Sequence, residues 1–302
     1  MARDLFYETL EHLRNISPAF GGRKYSGKLR KLRRVINLMD STTIQLVANC
    51  MPWAKHRRRK AGVKAHVRLN FGTLLPEFVI IGEAKEHDNK RARELCAGLK
   101  SGEIGIFDRG YSDYEHFADL SAREVIWVTR AKEGMQYDLL DEREVEEGGK
   151  ILSDEIIALT NGLRARRIVA KVEIDGKERE MTFLTNQMDW AASTIVALYE
   201  ARWEIEVFFR ELKQTCKLCD LMSYSANGIR REIWTALLVQ LLLRYMAWVS
   251  KWGQAFTRLY ALIGGTLWLK RDIKSILEFY GTGSGGSGLA ARPEQAYLAG
   301  FA

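Results

Sequence analysis

Arg34-Val35-Ile36-Asn37-Leu38-Met39-Asp40-Ser41-Thr42-Thr43 runs apolar after Arg34 up to Met39 apart from Asn37, then stops at an aspartate followed by three hydroxyl residues. A short apolar run bounded in this way predicts a buried strand with a carboxylate at its C-terminal end. Upstream, Gly21 to Arg34 carries seven basic residues in fourteen, namely Arg23, Lys24, Lys28, Arg30, Lys31, Arg33 and Arg34. Met1 to Leu13 is charged and reads as an amphipathic helix, not as the apolar segment of a secretory signal. Downstream, Lys55 to Lys60 is a second basic run.

Strict alternation follows. Val63, Ala65, Val67, Leu69 and Phe71 are apolar, with Lys64, His66, Arg68 and Asn70 between them, which predicts a half-buried strand. Phe78 to Ile81 predicts another strand, and Asp88 to Leu99 a helix. Ile104 to Phe107 is a short apolar run that ends at Asp108-Arg109-Gly110-Tyr111. Ser112 or Asp113 can cap a helix through Leu120, and Val125 to Thr129 makes a fifth strand. Three strands, helix, strand, helix, strand is an α/β pattern. Lys132 to Lys150, polar and acidic, interrupts it. Arg167 to Thr185 predicts a hairpin about Asp175-Gly176. A long helix over Ala192 to Lys217 comes next, then helices over Ile229 to Ser250 and Gln254 to Tyr280. Gly281 to Gly288 reads as a flexible linker to a tail over 289–302.

Composition bounds the function. With 302 residues, 47% apolar and 28% charged, the chain can bury a large core and is not mostly disordered. A net charge of +8 and a pI near 9.3 point to a polyanionic partner. Four cysteines exclude a disulfide scaffold. Cys216 and Cys219 lack a second pair or a nearby His, so they read as ordinary thiols, not a zinc site. Ile233 to Val249 is the most apolar stretch. Gln240 and Arg244 interrupt it and it is short for a bilayer, so a buried helix, no membrane and a cytoplasmic protein are expected.

Two aspartates thus end two apolar strands, where loops splay apart and open a crevice in α/β sheets. Either could simply cap a turn. The 192–217 helix separates these readings. At about 100° per residue, Arg202, Lys213 and Glu206 fall about 300°, 320° and 340° from Tyr199, in one stripe. Leu198, Ala201, Ile205, Phe208, Phe209 and Leu212 form the core face, whereas Glu200, Glu204 and Glu211 fall on the solvent side. One Glu is set apart beside a Tyr, an Arg and a Lys. An exposed Arg202–Glu206 ladder would contribute only ~0.3–0.5 kcal/mol. The same group also suits a phosphate track leading to a metal.

With these residues in hand, the sequence resembles the IS4-type DDE transposases. The likeness rests on Asp40-Ser41-Thr42-Thr43, on Asp108-Arg109-Gly110-Tyr111 and on Tyr199-x2-Arg202-x3-Glu206-x6-Lys213, whose spacing matches the family's helix signature without a gap. Gly62-Val63-Lys64-Ala65-His66 and Phe183-Leu184-Thr185-Asn186 also look like family segments. The resemblance runs from about Arg30 to about Ile276. It implies an RNase H-like core, a mixed five-stranded sheet flanked by helices. It also implies a β-rich insertion between the last core strand and the Glu-bearing helix, and a C-terminal helical region. The expected divisions are a basic N-terminal segment (1–29), core (30–132), insertion (133–187), core with C-terminal helices (188–280), and linker and tail (281–302).

By the same resemblance, Asp40, Asp108 and Glu206 form the catalytic triad and hold two Mg²⁺ ions, for which Mn²⁺ can substitute. Tyr199, Arg202 and Lys213 contact transposon-end DNA, and a homodimer acts on paired ends. Lys64 and the 55–60 run, with Arg57 and Arg58, are candidate backbone contacts. Trp190 could stack on an extruded base or be a plain core residue. His66 and His87 read as structural, since Mg²⁺ prefers oxygen. Only 39 residues precede Asp40, so the family's helical end-recognition domain is expected to be reduced or missing. The competing expectations are an RNase H-like nuclease without strand transfer and a DNA-binding remnant that no longer cuts.

Overall fold

The computed structural model describes residues 1–46, 55–56, 60–85, 87–174, 176–216, 218, 221–223, 225–268 and 272–281. In chain order these form α1 (Ala2–Ile16), β1 (Ile36–Leu46), β2 (Lys55–His56), β3 (Lys60–Asn70), β4 (Leu75–Glu83), α2 (Asp88–Cys96), β5 (Ile104–Phe107), α3 (Tyr114–Ala122) and β6 (Ile126–Arg130). The strands β7 (Tyr137–Glu142), β8 (Ile151–Leu159), β9 (Arg164–Ile174) and β10 (Lys177–Thr185) follow. Last come α4 (Ala192–Glu200), α5 (Trp203–Arg210), α6 (Ala226–Val249), α7 (Phe256–Thr266) and α8 (Ile273–Gly281).

The expected α/β class is present, as one large mixed sheet with helices on both faces. Strands β4, β3, β1, β5 and β6 lie side by side, and β10, β9, β8 and β7 extend the sheet beyond β6. β1 is antiparallel to β3 and parallel to β5, and β5 is parallel to β6. β10 returns antiparallel to β6, and β9 pairs with it across the short hairpin that the Asp-Gly pair predicts. Gly176 takes φ +73, a conformation that costs glycine little; Asp175 lies outside the described residues.

Side chains alternate between the two faces of a strand. On one face Ile36, Leu38, Ile106, Val128 and Phe183 pack with Phe6, Leu198, Ile205 and Phe208 from α1, α4 and α5. On the other, Met39, Phe107 and Trp127 pack with Leu95, Phe117 and Leu120 from α2 and α3, and Phe117 stacks on Trp127 at 4.4 Å. Asp40 therefore shares the face covered by α4 and α5, and Ser41 the face covered by α2. Gly105 sits on the second face. A Cβ there would come 2.9 Å from the Phe107 ring and 3.3 Å from the Met39 methyl. Overpacking of this kind costs ~1–3 kcal/mol, so Gly105→Ala is expected to lower the thermal midpoint; an unchanged melting curve would contradict this packing.

Several sequence expectations need correction. β1 does not end at Asp40: its antiparallel partner β3 keeps pairing to Leu46↔Ala61, and only the parallel partner β5 stops, at Met39↔Phe107. β3 is not half-buried, because α2 covers its polar face and His66 is fully buried. The helix expected over 192–217 is broken at Ala201 and Arg202. There the backbone makes tighter i→i+3 bonds (Arg202 N to Tyr199 O, Glu204 N to Ala201 O, Ile205 N to Arg202 O). A π turn over Glu211–Thr215 follows α5 and shifts the helix face by about one residue. Glu211 is not on the solvent side expected for it, because α6 covers it there and supplies Arg244, which pairs with it at 2.5 Å. The helix expected over 254–280 is two helices, α7 and α8.

α6 is, among the described residues, the one helix long and apolar enough to cross a membrane. Here it packs along α1 and carries the fully buried Gln240.

Candidate active site

The parallel register places the site. Met39 pairs with Phe107, and Phe107 with Thr129. The next residues along β1, β5 and β6 are Asp40, Asp108 and Arg130, which reach the same edge on the same face. α4 and α5 cross that face, packed on β6, β10 and β1.

Arg202, at the joint between α4 and α5, ties the arrangement together. Its Nη1 donates to Asp40 Oδ2 at 3.1 Å and its Nη2 to Glu206 Oε1 at 2.6 Å. Two carboxylates more than 160 residues apart in sequence thus converge on one cation. The guanidinium also lies over the Tyr199 ring at 5.6 Å, and the Tyr199 hydroxyl donates to Asp108 Oδ1 at 3.4 Å. Asp40 Oδ1 accepts the Ser41 backbone N–H at 2.7 Å. The helix stripe of Tyr199, Arg202 and Glu206 therefore faces both aspartates, despite the break at 201–202.

The charges are strongly coupled. Burial pushes the Asp40 carboxyl up to about 7; Arg202 and the Ser41 N–H pull it down, and Asp108 and Glu206 push it up again. Burial likewise raises the Tyr199 hydroxyl to about 12. For Arg202, burial works against the charge, but Tyr199, Asp40, Glu206 and Asp108 outweigh it and raise its pKa.

The other expected site residues are distributed differently. Lys213 is half-buried on the π turn, with no ion pair among the described residues. Lys64 points to the opposite face of the sheet and pairs with Asp88 at 3.1 Å. Trp190 is partly buried against the core and lies 6.0 Å from the Arg34 guanidinium. It lines a cavity of about 1180 Å³ between residues 26–29, the β7–β8 segment and α4, whose walls also carry Lys28, Lys150 and Lys171. Arg57 and Arg58 lie outside the described residues, as does Cys219.

The Trp190 loop is fixed from below. Arg166, 2% exposed, pairs with Asp154 through two bonds of 2.7 and 2.6 Å. Its Nη1 donates to the carbonyls of Met188 and Trp190 at 3.2 and 2.5 Å, and Arg143 donates to Met188 O at 2.6 Å.

Arg130, not among the residues expected at the site, stands at the same strand edge and is close enough to Tyr199 to pull its pKa down. The signal was available, since it ends the third apolar strand run as Asp40 and Asp108 terminate the runs before them.

The donor set suits a hard divalent ion, because every candidate ligand is a carboxylate oxygen. No group of three His, Cys, Asp or Glu among the described residues already stands in ligand geometry. Asp40 and Glu206 instead share the Arg202 guanidinium, which marks where positive charge is accommodated.

Comparison with known proteins places the chain in a family. The transposase DDE domain matches residues 31–242. The Sinorhizobium fredii protein y4zB, named as a transposase, is 30% identical over 82% of this chain and 70% of its own length. A Geobacillus stearothermophilus protein named as the transposase of insertion sequence element IS5377 is 24% identical over 81% of this chain. The Escherichia coli transposase InsG of element IS4 is 27% identical over 61%. The chain spans 65% and 43% of the length of these last two. Among solved structures, a piggyBac transposase synaptic complex with hairpin DNA aligns at TM-score 0.46 and 12% identity, over 86% of this chain and 60% of that one. The family match covers most of the chain and all three carboxylates: the chain belongs to the DDE transposases, of the IS4 type.

Proposed function

We propose that this chain is the catalytic part of a DNA transposase. In this reading, strands β4, β3, β1, β5 and β6 are an RNase H-like core and β7–β10 its insertion. The observation that carries it is the convergence of Asp40 and Glu206 on one cation beside Asp108. Asp40, Asp108 and Glu206 would hold divalent ions, which when bound activate the attacking oxygen and stabilise the leaving one. The residues of the chain do the rest. Arg202 and Arg130 offer planar donors that suit a phosphate, and Tyr199 offers a hydroxyl. Lys213, Arg57, Arg58 and the basic segment before β1 would follow the DNA backbone, with Trp190 available to a base at the cavity mouth. Lys64, engaged by Asp88, has no part in this surface.

Hydrolysis adds water across a phosphodiester at the element's end: a P–O bond to the new oxygen forms, the bond to the 3′-oxygen breaks, and that oxygen leaves protonated. In strand transfer the freed 3′-hydroxyl attacks a target phosphodiester and displaces the target's own 3′-oxygen. Neither step needs a covalent protein–DNA bond, so Tyr199 serves as a contact and not as a nucleophile. An intact end and a pre-cleaved end, each incubated with a supercoiled target and Mg²⁺, test the proposal: joined products support transposition, and cleavage of the intact end with no joining from either substrate points to a nuclease.

The raised Asp40 pKa has a defined consequence. Below about pH 7 the carboxyl keeps its proton, and a divalent ion must displace it. Mn²⁺ affinity is therefore expected to fall about tenfold per pH unit below 7 and to level off above it. Without metal the sign reverses. The folded state binds the proton more tightly than the unfolded one, whose value is near 3.8, so this group's contribution to stability is lost as pH rises from about 4 to 7. Titrations of Mn²⁺ between pH 6 and 8.5 check the first statement; a flat profile would contradict it.

A further inference from the structure

Behind the two aspartates, on the face of the sheet covered by α2, lies a polar cluster that the chemistry above does not use. Asp88, the first residue of α2, accepts the Ser41 hydroxyl at 2.8 Å and the Lys64 ammonium at 3.1 Å, both on Oδ1. His66 Nδ1 stands 3.7 Å from the same oxygen and 2.9 Å from the Tyr111 hydroxyl. The other oxygen, Oδ2, closes on Gly110: a Cβ there would sit only 3.1 Å from it.

An acidic residue in the first turn of a helix usually answers the helix dipole and the free N–H groups. Asp88 does not cap: the residue before it, His87, makes no side-chain cap either, and the Asp88 carboxylate is turned away toward β1 and β3. What it touches is specific. Ser41 follows Asp40 and uses both of its donors, the hydroxyl on Asp88 and the backbone N–H on Asp40 Oδ1 at 2.7 Å. Gly110 and Tyr111 follow Asp108 by two and three residues. One carboxylate thus hydrogen-bonds the residue after Asp40 and packs against the turn after Asp108, from the side of the sheet opposite to the two aspartates.

We propose that Asp88 is a positioning residue for the site: through Ser41 it aims the N–H that orients the Asp40 carboxylate, and by packing on Gly110 and, by way of His66, reaching the Tyr111 hydroxyl it backs the turn that presents Asp108. The inference rests on the reading of Asp40 and Asp108 as metal ligands. Groups that orient a ligand are typically worth 10–100-fold in metal affinity.

The test is Mn²⁺ binding by the whole chain, read by water-proton relaxation without DNA or turnover, together with the thermal midpoint. Asp88→Asn and Ser41→Ala are each expected to weaken Mn²⁺ binding about tenfold. The double variant should be no weaker than the stronger single one, because both cut the same link. A merely structural role would lower the midpoint without this non-additive loss. Wild-type affinity in Ser41→Ala, or losses that add in the double variant, would overturn the proposal, and Ser41→Ala alone carries the test if Asp88→Asn does not fold. Asp40→Asn separates the two levels. If it binds Mn²⁺ as well as wild type, the metal-site reading fails and this inference with it. If it loses binding while Asp88→Asn and Ser41→Ala keep it, only the role given to Asp88 fails.

Discussion

Asp40→Asn and Glu206→Gln are each expected to reduce Mg²⁺-dependent strand cleavage by about a thousandfold or more, equivalent to some 4 kcal/mol of lost transition-state stabilisation, while leaving DNA binding within a few-fold of wild type. The reason lies in the separation of roles. The carboxylates face one another through Arg202, whereas DNA affinity would come from the cations around them. The two substitutions remove a charge but keep shape and hydrogen-bonding capacity, so Arg202 retains an acceptor at each position. Binding measured by fluorescence anisotropy and cleavage measured on a labelled end duplex give the two readouts. Full cleavage by either variant would remove that residue from the catalytic group.

The second large effect concerns the buried ion pair between β8 and β9. Arg166 and Asp154 are 2% and 6% exposed and bonded through both oxygens. Removing one partner of a buried pair strands the other charge, which typically costs about 3–5 kcal/mol. Asp154→Ala is therefore expected to lower the thermal midpoint by about 10 °C, taking roughly 2–4 °C per kcal/mol for a chain of this size. Replacing both partners with apolar residues, Arg166→Met with Asp154→Leu, should recover much of that loss. The same double variant frees the carbonyls of Met188 and Trp190, so its DNA affinity should fall even where its stability recovers. A single variant that melts like wild type would contradict the buried-pair account.

Most of the strand order was legible because each strand's pattern answers a local question. Val35–Met39, Ile104–Phe107 and Val125–Thr129 are short, predominantly apolar runs, the first interrupted only by Asn37 and the last closed by Thr129, as expected of strands covered on both faces. The stripe of Tyr199, Arg202 and Glu206 was legible because one turn of tighter helix shifts it too little to leave its face. What was not legible depends on neighbours. Whether β1 stops at Asp40 is decided by β3, which goes on pairing, and not by Asp40 itself. That His66 is buried is decided by α2 lying across β3. That Glu211 is covered is decided by α6, which lies against it and pairs Arg244 with it. Asp88 reads as an ordinary helix-starting acid; only the fold brings it against Ser41 and Gly110.

The most direct test is an anomalous-difference map from crystals of the protein soaked in Mn²⁺. The account predicts a peak at about 2.0–2.2 Å from oxygens of Asp40 and of at least one of Asp108 and Glu206, with the Arg202 guanidinium displaced from between Asp40 and Glu206. A map at saturating Mn²⁺ with no peak there and Arg202 still bridging the two carboxylates would contradict it.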